Sequence, residues 1–298
     1  MTHKLDADDF FIHRIQQHCA EHGLNFFLIE PAWVSRFFEL YQQEEVWARV
    51  LLNMHSEHHE PREIYHQLVS LAHRRKTQVI DPPDVALQAF DKAQAHGRLL
   101  EAGLPLPPTV IVGRSEVEHL KLSEEQRALL GSPFVIKPAL GYGRRGVILD
   151  ATGEHDLLRS IAAWPDGHYL LQRRIAPVVI KEEPAYFRVF FVFGTIWCCW
   201  WNCFTDRYRV MLAEEESPWR LPDMRQIVTR IAAATRMRFF SSEIALTDPG
   251  DFVLIDYVND QCHMLCQSSN PRMGVPDSVV AGIARRLVEG AMELIKRV

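Results

Sequence analysis

The sequence predicts an α/β lobe followed by α+β lobes. Strands alternate with helices over the first hundred residues, strands then dominate in mixed order, and a proline-stiffened connector, Gly103-Leu-Pro-Leu-Pro-Pro-Thr109, separates the two patterns. Residues 6–22 set Phe10, Phe11, Ile15 and Cys19 at helical spacing and stop at Gly23, a residue suited to the left-handed turn that ends a helix. Residues 24–29, Leu-Asn-Phe-Phe-Leu-Ile, read as a short strand ended by Glu30-Pro31. Helices are expected at 32–43 and 60–75, with strands at 46–52 and 79–80. Asp81-Pro82-Pro83 closes the last strand and a further helix runs from 84 to about 102. This order indicates parallel βαβ units, a small Rossmann-like lobe over residues 1–105. No glycine fingerprint follows its first strand, so no dinucleotide site is expected there. His55, His58 and His59 fall in a polar segment and read as a solvated loop rather than a metal cluster.

Beyond the connector, strands are expected at 110–112, 134–138, 147–149 and 168–172, then at 186–201 in two arms around Gly194-Thr195. A last pair, 244–246 facing 252–258, follows, and helices interrupt at about 123–130, 154–163, 222–235 and 276–297. The composition, 47% apolar and 24% charged over 298 residues, excludes disordered and fibrous architectures. With 33 basic against 38 acidic residues, a net charge of -5 and no basic block, the chain is a poor nucleic-acid binder. Its first residues lack the pattern of a signal peptide, and the most apolar stretch, residues 189–201, is too short to cross a bilayer. A cytoplasmic protein with six reduced cysteines is the expectation. The spacings Cys198-Cys199-x-x-x-Cys203 and Cys262-x-x-x-Cys266 are not those of zinc ligands, so these read as buried thiols.

Gly141-Tyr-Gly143-Arg-Arg-Gly146 fits G-x-G-x-x-G, but its flanks decide its meaning. A dinucleotide fingerprint needs a helix after the glycines. Here the strand 134–138 precedes and the strand 147–149 follows, so the glycines cap a β-hairpin, as in a flap over nucleotide phosphates. Lys137 lies on the otherwise apolar strand feeding that loop, where a charge is costly unless partnered, and a phosphate would be one partner. A protein kinase would carry H-R-D and D-F-G, and neither occurs.

Residues 243–256 read as a second hairpin, with Pro249-Gly250 at the turn. The register pairs 247 with 252 and 243 with 256, placing Glu243 opposite Asp256 with Cβ atoms about 4.5–5.5 Å apart. Two bare carboxylates at that separation repel by roughly 3 kcal/mol at an effective dielectric of about 20. A shared proton, an arginine or a divalent cation would relieve this, and hard oxygens near phosphate favour Mg²⁺. Asn259 is a candidate third oxygen.

Asp91-Lys92, the connector, the strand ending Val-Ile-Lys137-Pro, the glycine hairpin and an acidic hairpin closing in Asp256-Tyr-Val-Asn259 come in this order. The succession, over residues 81–275, resembles the ATP-grasp superfamily, which includes D-alanine–D-alanine ligase and the ribosomal S6 glutamate ligase type. The resemblance implies a Rossmann-like pre-ATP-grasp lobe (1–105), then a two-lobed ATP-grasp fold: a small lobe with the flap (106–172) and a large lobe with the metal-binding hairpin (173–298). It implies Lys137 on the nucleotide phosphates with Gly141, Gly143 and Gly146 above them. Gln172, Arg173 and Ile175 would form the adenine hinge, Glu182 or Glu183 would meet the ribose, and Arg188 would meet the γ-phosphate or a substrate carboxylate. Glu243, Asp256 and Asn259 would hold Mg²⁺.

Three departures stand out. The family's other ATP-binding lysine falls on His96, with Arg98 two residues on, which makes His96 the candidate second nucleotide contact. The usual E-x-N becomes Asp256-x-x-Asn259, which needs a bulge or turn. An arginine common before the first acid is replaced by Ser241-Ser242, with Arg207, Arg209, Arg236 or Arg238 as substitutes. The implied activity is ATP- and Mg²⁺-dependent ligation of a small amino-acid or peptide-like carboxylate to an amine or thiol, with no nucleic-acid or membrane partner. A non-catalytic nucleotide-binding regulator and a small-molecule phosphotransferase are the alternatives. The sequence carries no signal for an oligomeric state.

Overall fold

The computed structural model describes residues 1–2, 9–55, 58–216, 220–248 and 250–296. Contacts group the chain into two units, residues 1–87 with 186–242 and 258–298, and residues 88–185 with 243–257. The chain begins with helices α1 (Asp9–Glu21) and α2 (Val34–Gln42), strand β1 (Val50–Leu52), helix α3 (Ile64–Arg74) and strand β2 (Gln78–Ile80). β1 and β2 pair in parallel, Leu51 opposite Val79. The Thr2 N–H donates to the Leu52 carbonyl at 3.0 Å, and the Ile29 N–H to that of Met1 at 2.8 Å. The strand expected at 24–29 forms no ladder. Only Ile29 is bridged, in parallel to Thr2; the Leu24 N–H instead closes the end of α1 on the Cys19 carbonyl at 2.8 Å.

The single helix expected over 84–102 is two, α4 (Pro83–Phe90) and α5 (Lys92–Glu101). Asp91 breaks it by adopting an extended conformation, from which its carboxylate accepts the Ala93 and Gln94 N–H groups as an N-cap.

The second unit is built on strands β3 (Thr109–Gly113), β4 (Phe134–Pro138), β5 (Ile148–Ala151) and β6 (His168–Arg173), with helices α6 (Glu124–Leu130) and α7 (Asp156–Ala163). Their antiparallel order is β3-β6-β4-β5. Phe134, Ile136, Tyr169 and Leu171 pack on one face with Leu130, Leu157 and Ile161 of the helices. Strand alternation therefore turns Val135, Lys137, Leu170 and Gln172 to the other face. A two-residue pair, β7 (Val179–Ile180) with β8 (Glu183–Pro184), turns at Lys181-Glu182, both at positive φ.

The remaining elements are β9 (Tyr186–Val192), β10 (Thr195–Trp201), β11 (Tyr208–Val210), α8 (Ala213–Glu216), α9 (Leu221–Thr235), β12 (Phe239–Leu246), β13 (Phe252–Asn259) and α10 (Asp277–Lys296). The five strands run in the order β11-β10-β9-β12-β13. In the first unit, Phe190 and Val192 pack with Phe11 and Ile15 of α1 and Val280, Ile283 and Leu287 of α10. No described helix is long and apolar enough to cross a membrane.

Candidate active site

The second unit carries a glycine hairpin with a lysine at its base. The loop between β4 and β5 holds Gly143 and Gly146 at φ 59° and 70°, where glycine alone is unstrained. Among the described residues, the backbone N–H groups of Gly141, Gly143 and Gly146 donate to no partner, which leaves them to meet an anion. A Cβ on Gly146 would lie 2.7 Å from the Trp164 Cβ and 2.8 Å from the Pro138 Cγ. Gly146→Ala should therefore cost about 3 kcal/mol and lower Tm by several degrees, measured by thermal unfolding. An unchanged Tm would contradict the packing described.

Lys137 is half-buried on the face of β4 away from the helices, and its Nζ donates to the Ile255 carbonyl at 2.9 Å. Burial pulls its pKa below lysine's usual value, while the charges of Asp256 and Glu243 draw it back up. The two acids and the lysine thus form one electrostatic group. At the hairpin end the Thr247 N–H donates to the Asp251 carbonyl, one residue short of the expected 247–252 pairing; Pro249, expected at the turn, lies outside the described residues. Buried Phe252 and Leu254 are followed by half-buried Ile255 and Asp256 and then buried Tyr257. The strict alternation of the strand is interrupted at Ile255-Asp256.

Lys92 is the residue that sequence reasoning missed. It opens α5 directly after the Asp91 cap, its Nζ donates to the Gly141 carbonyl at 2.7 Å, and its charge reaches Lys137. The signal was the Asp91-Lys92 dipeptide itself. His96, one turn on, is buried, its Nδ1 lies 2.6 Å from the Tyr257 hydroxyl, and burial lowers its pKa, so it is neutral at pH 7. The Gln172 amide donates to the same hydroxyl at 2.7 Å and to the Thr109 Oγ1 at 3.0 Å. Arg173 spends its guanidinium on the carbonyls of Leu129 and Ala128 and its N–H on that of Pro108. The N–H groups of Arg174 and Ile175 donate to no described partner. Glu182 and Glu183 are exposed at the small β7–β8 turn.

The first unit carries Arg188 and a buried polar cluster. Arg188, on β9, donates from Nε to the Ser241 Oγ at 3.0 Å and lies 5.5 Å over the Trp201 ring. Of the arginines expected to substitute before Glu243, Arg209 pairs with Glu215 at 2.8 Å. The Asn259 amide reaches the Ser241 carbonyl at 3.5 Å, at the limit of a hydrogen bond. His55 and His58 are 1% and 2% exposed, not part of a solvated loop. The correction has a physical cause: each ring lies against a carboxylate, His58 Nε2 at 2.9 Å from Asp260 and His55 Nε2 at 3.5 Å from Glu63. Among the described residues no three His, Cys, Asp or Glu side chains are grouped to hold a metal. All six cysteines are free thiols, and burial pushes those of Cys199 and Cys262 up to about 12, so neither is a thiolate at neutral pH.

Asp81 accepts the N–H groups of Arg238 and Phe239, at 3.0 and 2.9 Å. Burial first, and the Asp260 charge second, raise its pKa to about 7. Folded chains then hold a proton that unfolded chains have lost, so stability falls as pH rises from about 4 to about 7. Asp81→Asn should remove that slope and be the more stable protein at pH 8, read as the difference in Tm between variant and parent across the window. A difference that does not change with pH would contradict it.

No protein-family profile and no curated protein matches the sequence. Solved structures do match. The ATP-grasp ligase PsnB, complexed with a minimal precursor, Mg and ADP, superposes with a TM-score of 0.63 at 13% identity, covering 99% of this chain and 98% of that one. A RimK domain ATP-grasp protein from Sphaerobacter thermophilus gives 0.62 at 15% identity over 97% and 98%. D-alanine–D-alanine ligase from Bacillus anthracis, complexed with ATP, gives 0.64 at 14% identity over 100% and 96%. The chain has the ATP-grasp fold.

Proposed function

We propose that this chain is an ATP- and Mg²⁺-dependent ligase that activates a substrate carboxylate as an acyl phosphate and joins it to an amine or thiol. The carrying observation is the Lys137 ammonium at the base of the glycine hairpin, within reach of the charges of Glu243 and Asp256. Lys137 and Lys92 bind phosphate oxygens, and the N–H groups of Gly141, Gly143 and Gly146 close over them. Arg174 and Ile175 offer backbone donors to adenine beside Gln172 and Arg173, with Glu182 or Glu183 at the ribose. His96 supports this floor by fixing Tyr257 rather than by touching phosphate. Glu243 and Asp256, a hard-oxygen pair, suit Mg²⁺, with Asn259 the third oxygen by its place in the sequence. Bound there, the ion neutralises charge on the transferred phosphoryl group.

Arg188 takes the γ-phosphate or the substrate carboxylate. Positioning and electrostatics supply most of phosphoryl-transfer catalysis, so no protein nucleophile is required. The flap excludes water, which would otherwise hydrolyse the acyl phosphate. PsnB was solved with a precursor peptide and the Bacillus ligase with ATP, which supports an ATP-dependent enzyme with an amino-acid or peptide-like substrate. In this reading residues 1–105 are the Rossmann-like pre-ATP-grasp lobe, 106–172 the small lobe and 173–298 the large lobe. The parallel pairing of β1 and β2 supports the first assignment.

Incubation with Mg²⁺-ATP, hydroxylamine and a panel of amino acids and short peptides tests the proposal. Carboxylate-dependent ADP release with a trapped hydroxamate is expected. The neutral, engaged His96 favours a non-catalytic nucleotide-binding protein, and ATP binding without turnover on any carboxylate would select it. A phosphorylated product stable to hydroxylamine would select a phosphotransferase.

A further inference from the structure

Residues 24–29 run beside a cavity, bridged to other backbone at Ile29 alone, and leave one backbone edge without a described partner; neither the segment nor the cavity holds a residue of the proposed nucleotide or metal site. Leu24, Phe26 and Leu28 pack on the core while Asn25 and Phe27 are exposed, the period of a β-strand. The Met1 amine donates to the Phe27 carbonyl and the Ile29 N–H to the Met1 carbonyl, so odd-numbered residues turn their backbone groups inward. By alternation, Phe26 and Leu28 turn theirs outward, and their N–H groups donate to no described partner. A cavity of about 460 Å³ adjoins this edge, walled by Ile12, His13 and Gln16 of α1 and by Phe26, Phe27 and Leu28, with Asp9 and Glu30 among its lining. Phe27 is 57% exposed and stacks on Phe37 with ring centroids 5.2 Å apart.

An open edge flanked by a helix is a geometry that accepts an extended peptide as an added strand, with main-chain hydrogen bonds for affinity and pockets for alternate side chains. We propose that this groove docks an extended peptide segment in which an apolar side chain is flanked by lysine or arginine. Phe26 and Leu28 supply the main-chain partners. The cavity takes the apolar side chain, being of a size that holds small ligands. Asp9 and Glu30, with His13 the one basic side chain among the described lining residues, select the basic neighbours by charge. The assignment stands apart from the ligase reading, since it involves none of the nucleotide or metal residues.

The test is fluorescence anisotropy of the full chain with an end-capped heptapeptide alternating valine and lysine. Its controls are the same peptide with glutamate for lysine and the lysine peptide N-methylated at alternate amides. Hydrogen exchange at Phe26 and Leu28 is followed in parallel. The expected result is saturable binding of the lysine peptide, roughly tenfold tighter than either control, with slowed exchange at both amides. Glu30→Lys, which leaves Asp9 and the new lysine to cancel, should abolish the charge preference and leave the folded exchange pattern of α1 intact. Equal affinity for both charges, binding without protection at the two amides, or no binding at roughly 1 mM peptide would overturn the proposal. So would a peptide-free chain that sediments as a dimer with those amides already protected, which would make a second copy the occupant.

Discussion

Lys137→Met is expected to lower ATP-dependent turnover by about a thousandfold while the chain stays folded. The substitution keeps the length and apolar stem of the side chain but removes the ammonium at the base of the glycine hairpin that feels the charges of both acids. A charge aimed at a phosphoryl group in a water-poor site contributes on the order of 4 kcal/mol to the transition state, which is the thousandfold. The loss extends to ground-state binding, because without Lys137 only Lys92 is left to offset the repulsion between the carboxylates and the triphosphate. Lys137→Arg should not restore activity, since a planar guanidinium does not fit a slot that ends on the Ile255 carbonyl. Steady-state kinetics with circular dichroism as the folding control checks both. Activity within tenfold of the parent in the methionine variant would remove Lys137 from the phosphate contact.

Glu243→Gln and Asp256→Asn should each raise the Mg²⁺ concentration for half-maximal activity by at least about tenfold and lower turnover about a hundredfold, with the pair together abolishing it. The physical reason is that carboxylate oxygens are hard, anionic donors suited to a divalent ion, whereas the amide put in place of either one carries no charge to hold it. Titration of Mg²⁺ at saturating ATP reads the effect. Equal Mg²⁺ dependence in parent and both variants would mean that the hairpin acids serve the fold alone.

Much of this was legible because it rests on short-range pattern. β4 falls on residues 134–138, where its apolar run and the following glycines place it, and the β9–β10 hairpin turns at Phe193-Gly194, one residue before the expected Gly194-Thr195, because both residues take positive φ and Thr195 already pairs with Val192. The hairpin that carries the two acids was legible as two strands about a local turn, while its register at the turn differs by one residue from the expected pairing. The features not legible depend on distant neighbours. Residues 24–29 have strand chemistry yet lack a partner along most of their length. Lys92 reads as an ordinary solvated residue in a first helical turn until the Gly141 carbonyl is seen against it, 49 positions away. Asp81 meets Arg238 across 157 positions, and His58 meets Asp260, so neither a buried histidine nor a carboxyl that holds its proton near neutrality shows in the local sequence. His96 was legible as a position but not as a chemistry, since its neutrality comes from burial beside Tyr257.

Titration calorimetry with a non-hydrolysable ATP analogue, in the presence and absence of Mg²⁺, tests the central claim most directly when run on the parent, Lys137→Met and Glu243→Gln. The account predicts Mg²⁺-dependent binding in the parent, no measurable binding in the lysine variant, and weaker binding that no longer responds to Mg²⁺ in the glutamate variant. Nucleotide binding of equal strength in all three proteins, with or without the ion, would contradict it.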